Sequence, residues 1–185
     1  MNFNSHSELE GRHAFLSPSN YHWLNYDDQK LAARFQSHRA AQRGTRLHDL
    51  AHEAIELGVK FSKGNRALAT YVNDGIGYKM SVEVPLYYSP NCFGHADTLC
   101  FRRKKLRIHD LKTGITRVKF TQLEVYAAIF CLEYGYDPYN LDIELRIYQN
   151  DEVMVHVPAP EAIEQIMETI VAFDQRIEEF RAEGM

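Results

Sequence analysis

The chain has 185 residues, is 45% hydrophobic and 25% charged, and carries a formal net charge of −4. This composition argues against disorder, and the length suits a single domain over residues 1–185 that needs no disulfide or metal ion to complete its core. No run of about 18 apolar residues occurs, so a membrane-spanning helix is not expected.

The N-terminus and the cysteines bear on where the protein works. Residues 1–15 lack the basic region and apolar stretch of a signal peptide, and they are expected to be flexible. The three cysteines, Cys92, Cys100 and Cys131, show no CxxC spacing. This pattern fits reduced thiols rather than disulfides, so the chain is predicted to be cytoplasmic and to have no membrane partner.

The first predicted elements are helical. Leu16–Asn20 contains capping serines and a proline, which indicates a helix start. The aromatic residues that follow, Trp23 and Tyr26 among them, are expected to pack in a core, with base stacking as the alternative. Residues 29–58 are predicted to be helical, with a new start at Thr45.

Two histidines, His48 and His52, are spaced four residues apart in this segment and so share a helical face. Such a pair can bind zinc, but Asp49 stands where zinc proteases carry a glutamate, and no third ligand is apparent. From the helix alone, the favoured interpretation is that these histidines are hydrogen-bonded structural residues.

Residues 62–75 are predicted to form a short helix and a turn, followed by a strand over Tyr78–Tyr88. Glu83 would lie on the polar face of that strand, where it could approach a metal ion or, as favoured here, point outward. The opposite face of the strand is predicted to be apolar and to contain Met80, Val82, Val84 and Leu86.

A β-hairpin is predicted where the runs Asp97–Phe101 and Leu106–Lys112 flank a basic turn centred on Arg103 and Lys104. In that register, residues directly opposite each other share a face. One face is then apolar, with Leu99, Phe101, Leu106 and Ile108. Asp97 faces Asp110 at the end of this apolar face, and Lys112 points to the same side.

The facing carboxylates of Asp97 and Asp110 would repel each other by roughly 3 kcal/mol at about 5 Å and an effective dielectric of about 20. A divalent cation between them would make the arrangement favourable, and hard oxygen ligands suit Mg²⁺ or Mn²⁺. Lys112 could then stabilise a developing negative charge or position a water. The alternative is an exposed hairpin with solvated charges.

A local basic strip follows the first strand of this hairpin, although the net charge is negative. Its residues are Arg102, Arg103, Lys104, Lys105 and Arg107, with Arg117 and Lys119 soon after. Beside a metal site, the strip could bind a phosphate backbone. On charge alone, a solvated turn without a partner is equally compatible.

The C-terminal part is predicted to begin with a helix over Thr121–Tyr134, on which Gln122 and Tyr126 share a face. These two side chains could bind a phosphate or tie the helix to the hairpin. The segments Leu141–Tyr148 and Val153–Val157 are predicted to form a second hairpin. The last element is predicted to be an amphipathic helix over residues 161–182.

Four short motifs occur in one order along the chain: Gly44-Thr-Arg-Leu-His48, Gly94-His-Ala-Asp97, Asp110-Leu-Lys112-Thr-Gly and Gln122-Leu-Glu-Val-Tyr126. Together they resemble the motifs of the PD-(D/E)XK nuclease superfamily, specifically its RecB-like exonuclease branch. Leu16-Ser-Pro-Ser followed by Trp23-Leu also looks like the N-termini of phage and prophage members. The fold this implies is α/β (mixed α+β), a restriction-endonuclease-like core with a mixed central β-sheet flanked by helices.

The resemblance also implies a role for each matching residue. Lys112 would orient the attacking water, and Gln122 and Tyr126 would support the site and the nucleic-acid backbone. The implied ligands of Mg²⁺ or Mn²⁺ are His48, Asp97, Asp110 and the backbone carbonyl of Leu111. Several relatives bind an iron–sulfur cluster through four cysteines, and none is expected here because the chain has three.

The implied function is metal-dependent hydrolysis of phosphodiester bonds in DNA, as an exonuclease in phage or prophage recombination or DNA processing. A recombination protein or a helicase could be a partner, since no GxxxxGK[ST] motif occurs in the chain. Ring-forming relatives suggest a homo-oligomer. The alternative is a catalytically silent nucleic-acid-binding or assembly subunit that retains the nuclease fold.

Overall fold

The computed structural model describes residues 15–16, 18–62, 66–114 and 118–184. The backbone divides into two compact units, Met1–Thr45 and Arg46–Met185. The boundary lies inside one helix, and the single domain over residues 1–185 stays a prediction. Residues 1–14 lie outside the described residues, so the flexibility expected for residues 1–15 stays a prediction.

The first unit contains a 3₁₀ helix, Pro18–Asn25, and the beginning of helix α1 (Asp28–Leu57). Asp27 caps α1 by accepting a hydrogen bond from the Lys30 amide at 2.7 Å. The predicted new start at Thr45 is wrong. The Thr45 hydroxyl donates to the carbonyl of Ala41 at 3.3 Å, one turn earlier, instead of capping a new helix, and α1 runs through.

The second unit holds the end of α1, five strands and three further α-helices among its described residues. The helices are α2 (Arg66–Tyr78), α3 (Thr121–Tyr134) and α4 (Pro160–Ala182). The strands are β1 (Ser81–Ser89), β2 (Cys92–Arg102), β3 (Lys105–Leu111), β4 (Asp142–Gln149) and β5 (Glu152–His156). No helix of the described residues is long and apolar enough to cross a membrane.

The five strands form one sheet in the order β1-β2-β3-β4-β5. Strands β3 and β4 are parallel, joined through α3, and the other neighbours are antiparallel. One face of the sheet packs against α3 and α4, where Leu123 and Ile163 are buried. The other face packs against α2 and the end of α1, where Ala51 and Tyr71 are buried. The predicted mixed sheet flanked by helices is therefore confirmed.

The β2–β3 hairpin has the predicted register, with Leu99 opposite Ile108 and Phe101 opposite Leu106. Its turn consists of Arg103 and Lys104, whose φ angles of 50° and 63° match the two positive values of a type I′ turn. The predicted apolar face is confirmed as well. All four of its residues belong to the core beneath α3.

Strand β1 differs from its prediction in start and in facing. It begins at Ser81, because Tyr78 ends α2. Val84 packs with the core beneath α3, whereas Val82 packs with the core beneath α2, so the predicted shared apolar face is wrong. The reason is Glu83 between them, whose φ of 47° interrupts the regular alternation of side chains.

The C-terminal elements follow their predictions closely. Helix α3 ends at Gly135, which has a φ of 67° and donates its amide to the Cys131 carbonyl. The second hairpin turns at Asn150 and Asp151, with φ angles of 49° and 61°. In α4 the amphipathic pattern buries its first part, including Ile163, whereas Phe173 near the end is exposed.

Candidate active site

Asp110 lies near the C-terminal end of β3, between the antiparallel β2 and the parallel β4. Its side chain is buried, and Oδ1 lies 3.0 Å from Nζ of Lys112. Oδ2 is also buried, with no hydrogen-bond partner among the described residues. Burial raises the pKa of Asp110 and the charge of Asp97 raises it further, against the opposing effect of Lys112.

Asp97 lies one residue beyond the last hydrogen-bonded pair of the hairpin, Thr98 and His109. The charge of Asp97 raises the pKa of Asp110, so the two carboxylates lie near each other, and their direct opposition across the strands stays a prediction. Asp97 Oδ2 accepts a hydrogen bond from the Leu111 amide at 3.2 Å. The same oxygen lies 3.4 Å from Nδ1 of His48. The structure thus places His48 and the Leu111 amide in contact with Asp97, and Asp110 precedes Leu111 in β3.

His48 reaches this position because the end of α1 is anchored on the sheet. Ala51, Ala54 and Ile55 of α1 pack in the core that includes Leu111. This packing holds one side of the helix against the sheet. His48 lies one turn before the buried segment and therefore reaches Asp97. The segment Gly44–His48 of the first motif is therefore helical.

A chain of polar contacts links the hairpin to α3. Nζ of Lys112 donates to Oε1 of Gln122 at 3.0 Å. Nε2 of Gln122 donates to the Tyr126 hydroxyl at 3.4 Å. Of the two roles predicted for Gln122 and Tyr126, tying the helix to the hairpin is the one these contacts display.

One carboxylate oxygen of this site is suited to bind a hard divalent cation. Asp110 Oδ2 is a buried carboxylate oxygen without a hydrogen-bond partner among the described residues, and such an atom is costly unless a cation or proton meets it. Within the described part of the chain, however, no group of three His, Cys, Asp or Glu side chains is placed to hold a metal ion. Two carboxylates would need backbone and water ligands in addition, which Mg²⁺ commonly keeps.

His52 occupies a different environment from His48. Its Nδ1 lies 3.0 Å from Oε1 of Glu83, and its Nε2 lies 3.3 Å from the Tyr71 hydroxyl. Both ring nitrogens therefore have protein partners, and the ring centre is 6.0 Å from that of His48. These contacts favour the structural interpretation of His52 over a zinc pair.

The basic residues predicted to bind nucleic acid are divided between two environments. Arg102, Arg103, Lys104 and Lys119 are exposed, and Arg117 lies outside the described residues. Lys105 is instead held by Asp142 and Glu144, each at 3.1 Å. The turn end of the hairpin, which holds Arg102, Arg103 and Lys104, does not adjoin the aspartates. The hairpin turn and the aspartates lie at opposite ends of the strands, roughly 20 Å apart at about 3.3 Å per residue.

A buried polar network next to the site was missed from the sequence. His109 Nδ1 lies 3.1 Å from the Tyr148 hydroxyl, which donates to Asp74 at 2.7 Å. Arg146 also donates to Asp74, at 2.9 Å. Burial, with Arg146 adding to it, lowers the pKa of His109 to about 3. The sequence did contain a signal for this network. Polar residues recur at every second position of β3 and β4, on the face toward α2.

Comparisons with known proteins add little to this geometry. No protein-family model matches the chain, and a search of curated proteins returns no match. A solved structure entitled "Crystal structure of SSO0001" is similar at 9% sequence identity over 70% of this chain and 85% of the matched chain. Its TM-score of 0.29 is too low to support an argument about fold or function.

Proposed function

We propose that this chain is a divalent-metal-dependent nuclease that hydrolyses phosphodiester bonds of DNA, as an exonuclease of the RecB-like type. The observation that carries the proposal is the buried Asp110 carboxylate, which lies near the charge of Asp97 and has one oxygen without a partner among the described residues. Such a pair is unfavourable by itself and becomes favourable around a cation. The phage or prophage setting, the cytoplasmic location, a recombination protein or helicase partner and a homo-oligomer belong to the same proposal.

The site residues have distinct roles in this function. Asp97, Asp110 and the Leu111 carbonyl would hold Mg²⁺ or Mn²⁺. His48 would either orient Asp97 through their contact or bind the ion itself. The bound ion would supply a more acidic water and positive charge against the scissile phosphate. Lys112, Gln122 and Tyr126 would act around this ion.

Lys112 is the residue best placed to act on the reacting groups. Its ammonium group has three donors, and two are directed at Asp110 and Gln122. The third is left for a water molecule or a phosphate oxygen. Gln122 is held in turn by Tyr126, so the Lys112 side chain is fixed before substrate arrives, which is how a charged group contributes most to catalysis.

The test is cleavage of labelled linear and circular DNA, single- and double-stranded, with Mg²⁺ or Mn²⁺. Asp110→Asn and Lys112→Ala are each expected to lower the rate at least about 100-fold. The matched controls are Asp142→Asn and Lys60→Ala, which change the same residue types at exposed positions outside the proposed site and should retain the rate. Equal cleavage by all five proteins would refute the proposal.

A second candidate function is a nucleic-acid-binding or assembly subunit without catalysis. It is favoured by one observation, that no three potential metal-binding side chains are grouped within the described residues. This candidate predicts that DNA is retained equally with and without EDTA and that no product forms. The same assay, run beside a filter-binding measurement, distinguishes the two functions.

A further inference from the structure

Helix α1 forms two histidine–carboxylate pairs with two neighbouring strands. His48 meets Asp97 of β2 at 3.4 Å, and one turn later His52 meets Glu83 of β1 at 3.0 Å. Glu83 lies across from Asp97, because the residues on either side pair as Val82 with Thr98 and Val84 with Ala96. The His52–Glu83 pair therefore lies beside the His48–Asp97 pair, which contains a candidate metal ligand.

The backbone of Glu83 is unusual for its residue type and place. Its φ of 47° lies in the left-handed region, which residues other than glycine seldom adopt within a strand. Its side chain is 59% exposed, so burial does not hold it there. Such positions persist where surrounding contacts determine them, and they cluster at active sites. The contact that holds this side chain is His52.

The partners of His52 lead back to the candidate site. His52 is buried, and its Nε2 lies 3.3 Å from the hydroxyl of Tyr71, which is fully buried. Burial raises the pKa of Tyr71, and the charge of Asp97 raises it further, so the Tyr71 hydroxyl lies near Asp97. Glu83, His52 and Tyr71 thus form a continuous series of contacts from β1 through α1 to α2, and this series ends near Asp97 of β2.

We infer that Glu83 and His52 are positioning residues for the proposed nuclease site. A helix attached to two adjacent strands at points one turn apart cannot rotate about its axis, so His48 is held against Asp97. His52 also draws the Glu83 carboxylate toward α1, which keeps a third negative charge away from Asp97 and Asp110. This inference rests on the proposed function, because it assigns the pair to the same site.

The test separates the side chain of Glu83 from its backbone. Glu83→Gly removes the carboxylate and relieves the left-handed φ, whereas Glu83→Gln keeps the shape and removes the charge. The matched control is Lys79→Gly, which relieves a φ of 54° at the link between α2 and β1. Each protein is measured for melting temperature, for kcat and KM on linear DNA with Mn²⁺, and for the Kd of Mn²⁺ by calorimetry.

Both Glu83 variants are expected to lose 10- to 100-fold in kcat and in Mn²⁺ affinity, as is usual for residues that orient metal ligands, with KM for DNA unchanged. Glu83→Gly is expected to melt within about 3 °C of the natural protein, because relief of the backbone offsets the lost ion pair. Lys79→Gly should match the natural protein in kcat and Mn²⁺ affinity. Glu83→Gln combined with His52→Gln should lose no more than either alone.

A folded Glu83→Gly protein with natural kcat and Mn²⁺ affinity would overturn the inference while leaving the proposed function intact, provided that Asp110→Asn abolishes cleavage. If Asp110→Asn also cleaves normally, the proposed function is the part that fails. If the natural protein cleaves nothing, Mn²⁺ affinity decides alone. A loss of 10-fold or more in Glu83→Gly supports positioning, and an unchanged or unmeasurable affinity refutes it.

Discussion

A β-carbon placed on Gly94 would lie 3.0 Å from Cε1 of Tyr126 and 3.5 Å from its hydroxyl oxygen. The ring of Tyr126 therefore rests against the backbone of β2, three residues before Asp97, and only glycine leaves it that room. The glycine of the second motif and the tyrosine of the fourth are two halves of one contact. Through Gln122, the same contact sets the position of Lys112.

Gly94→Ala should accordingly impair the reaction more than the fold. The added methyl group displaces the Tyr126 ring by a few tenths of an ångström and loosens the hold of Gln122 on Lys112, so kcat is expected to fall about 10-fold. Unfolding in urea should show a loss of about 1 kcal/mol or less. Combining Gly94→Ala with Tyr126→Phe should add little further loss of kcat. Fully additive losses would contradict the coupling.

Gly75 and Gly77 of α2 provide a matched pair for stability. A β-carbon on Gly75 would lie 2.7 Å from Cδ1 of Ile55, whereas one on Gly77 would meet nothing within 4 Å. Gly75→Ala is therefore expected to cost about 1–3 kcal/mol in urea unfolding. Gly77→Ala should gain about 0.5–1 kcal/mol, because alanine favours the helix. Ile55→Val removes Cδ1 but keeps Cγ1, which would lie 2.9 Å from the added β-carbon, so it should rescue Gly75→Ala in part. A purely additive double variant would argue against the clash.

The β2–β3 hairpin was predictable from the sequence because its information is local. Two alternating runs and a four-residue basic cluster predict the turn at Arg103 and Lys104, and the register that follows from this turn is the observed one. The left-handed Glu83 could not be predicted in the same way. The residues around it alternate regularly, and its side-chain partner is His52 of α1, which is distant in sequence.

Helix α1 illustrates a second limit. Gly44 and Thr45 carry the local signal of a break and a cap, yet the Thr45 hydroxyl bonds back to Ala41 and the helix continues. The parallel pairing of β3 with β4 was likewise hidden, because strand order depends on the whole chain. The His109 network follows from that pairing, since His109 lies beside Arg146 only when β4 runs parallel to β3.

Asp110→Asn should stabilise the protein when metal is absent. Burial and the charge of Asp97 raise the pKa of Asp110 above its unfolded value, so its ionisation destabilises the folded state once the pH exceeds the unfolded pKa. Removing the charge is expected to raise stability by about 0.5–2 kcal/mol at pH 7 in EDTA. At 100 times its Kd, Mn²⁺ should add about 2.7 kcal/mol to the stability of the natural protein but not to that of Asp110→Asn.

Thermal unfolding at pH 7, with EDTA and with Mn²⁺, measures both effects. Asp142→Asn is the matched control, because Asp142 is exposed and pairs with Lys105 instead. It should be neutral or mildly destabilising in EDTA and should respond to Mn²⁺ like the natural protein. An Asp110→Asn protein that is less stable in EDTA, or equally stabilised by Mn²⁺, would contradict the role assigned to Asp110.

His109 should make stability depend on pH. Its pKa of about 3 lies below the unfolded value of 6.5, because burial disfavours the charged ring. Between these values the unfolded chain binds a proton that the folded chain does not, so stability falls as the pH drops from 6.5 toward 3. The contribution at pH 5 is about 2 kcal/mol.

Urea unfolding in EDTA at pH 7 and pH 5 measures this dependence. His109→Gln should lose stability at pH 7 because it disturbs the contact with Tyr148, but its further loss at pH 5 should be about 2 kcal/mol smaller than that of the natural protein. His95→Gln is the control, since His95 is exposed. It should retain the natural pH dependence, and an unchanged dependence in His109→Gln would disprove the assignment.

Variants of the hairpin turn should distinguish an effect on nucleic-acid binding from an effect on stability. Arg103→Asn with Lys104→Gly supplies the residues that a type I′ turn prefers, so stability should rise by about 0.5–1 kcal/mol. If both side chains contact phosphates, the slope of log K against log salt should become less steep by about 1.8. Lys105→Ala should instead lower stability, because Lys105 holds Asp142 and Glu144. An unchanged salt slope in the turn variant would remove the turn from the DNA-binding surface.

Because β3 pairs with β4, the candidate site can be complete only after β4 has been synthesised. Every candidate ligand and catalytic side chain is translated by residue 126, but the Lys112 amide donates to the Tyr148 carbonyl of β4 at 2.9 Å. A nascent chain that has not yet released residues 142–149 from the ribosome therefore holds all the reactive groups without the strand that seats them. Under the proposed function, cleavage would begin only late in synthesis, and an unfinished chain would pose no hazard to the DNA around it.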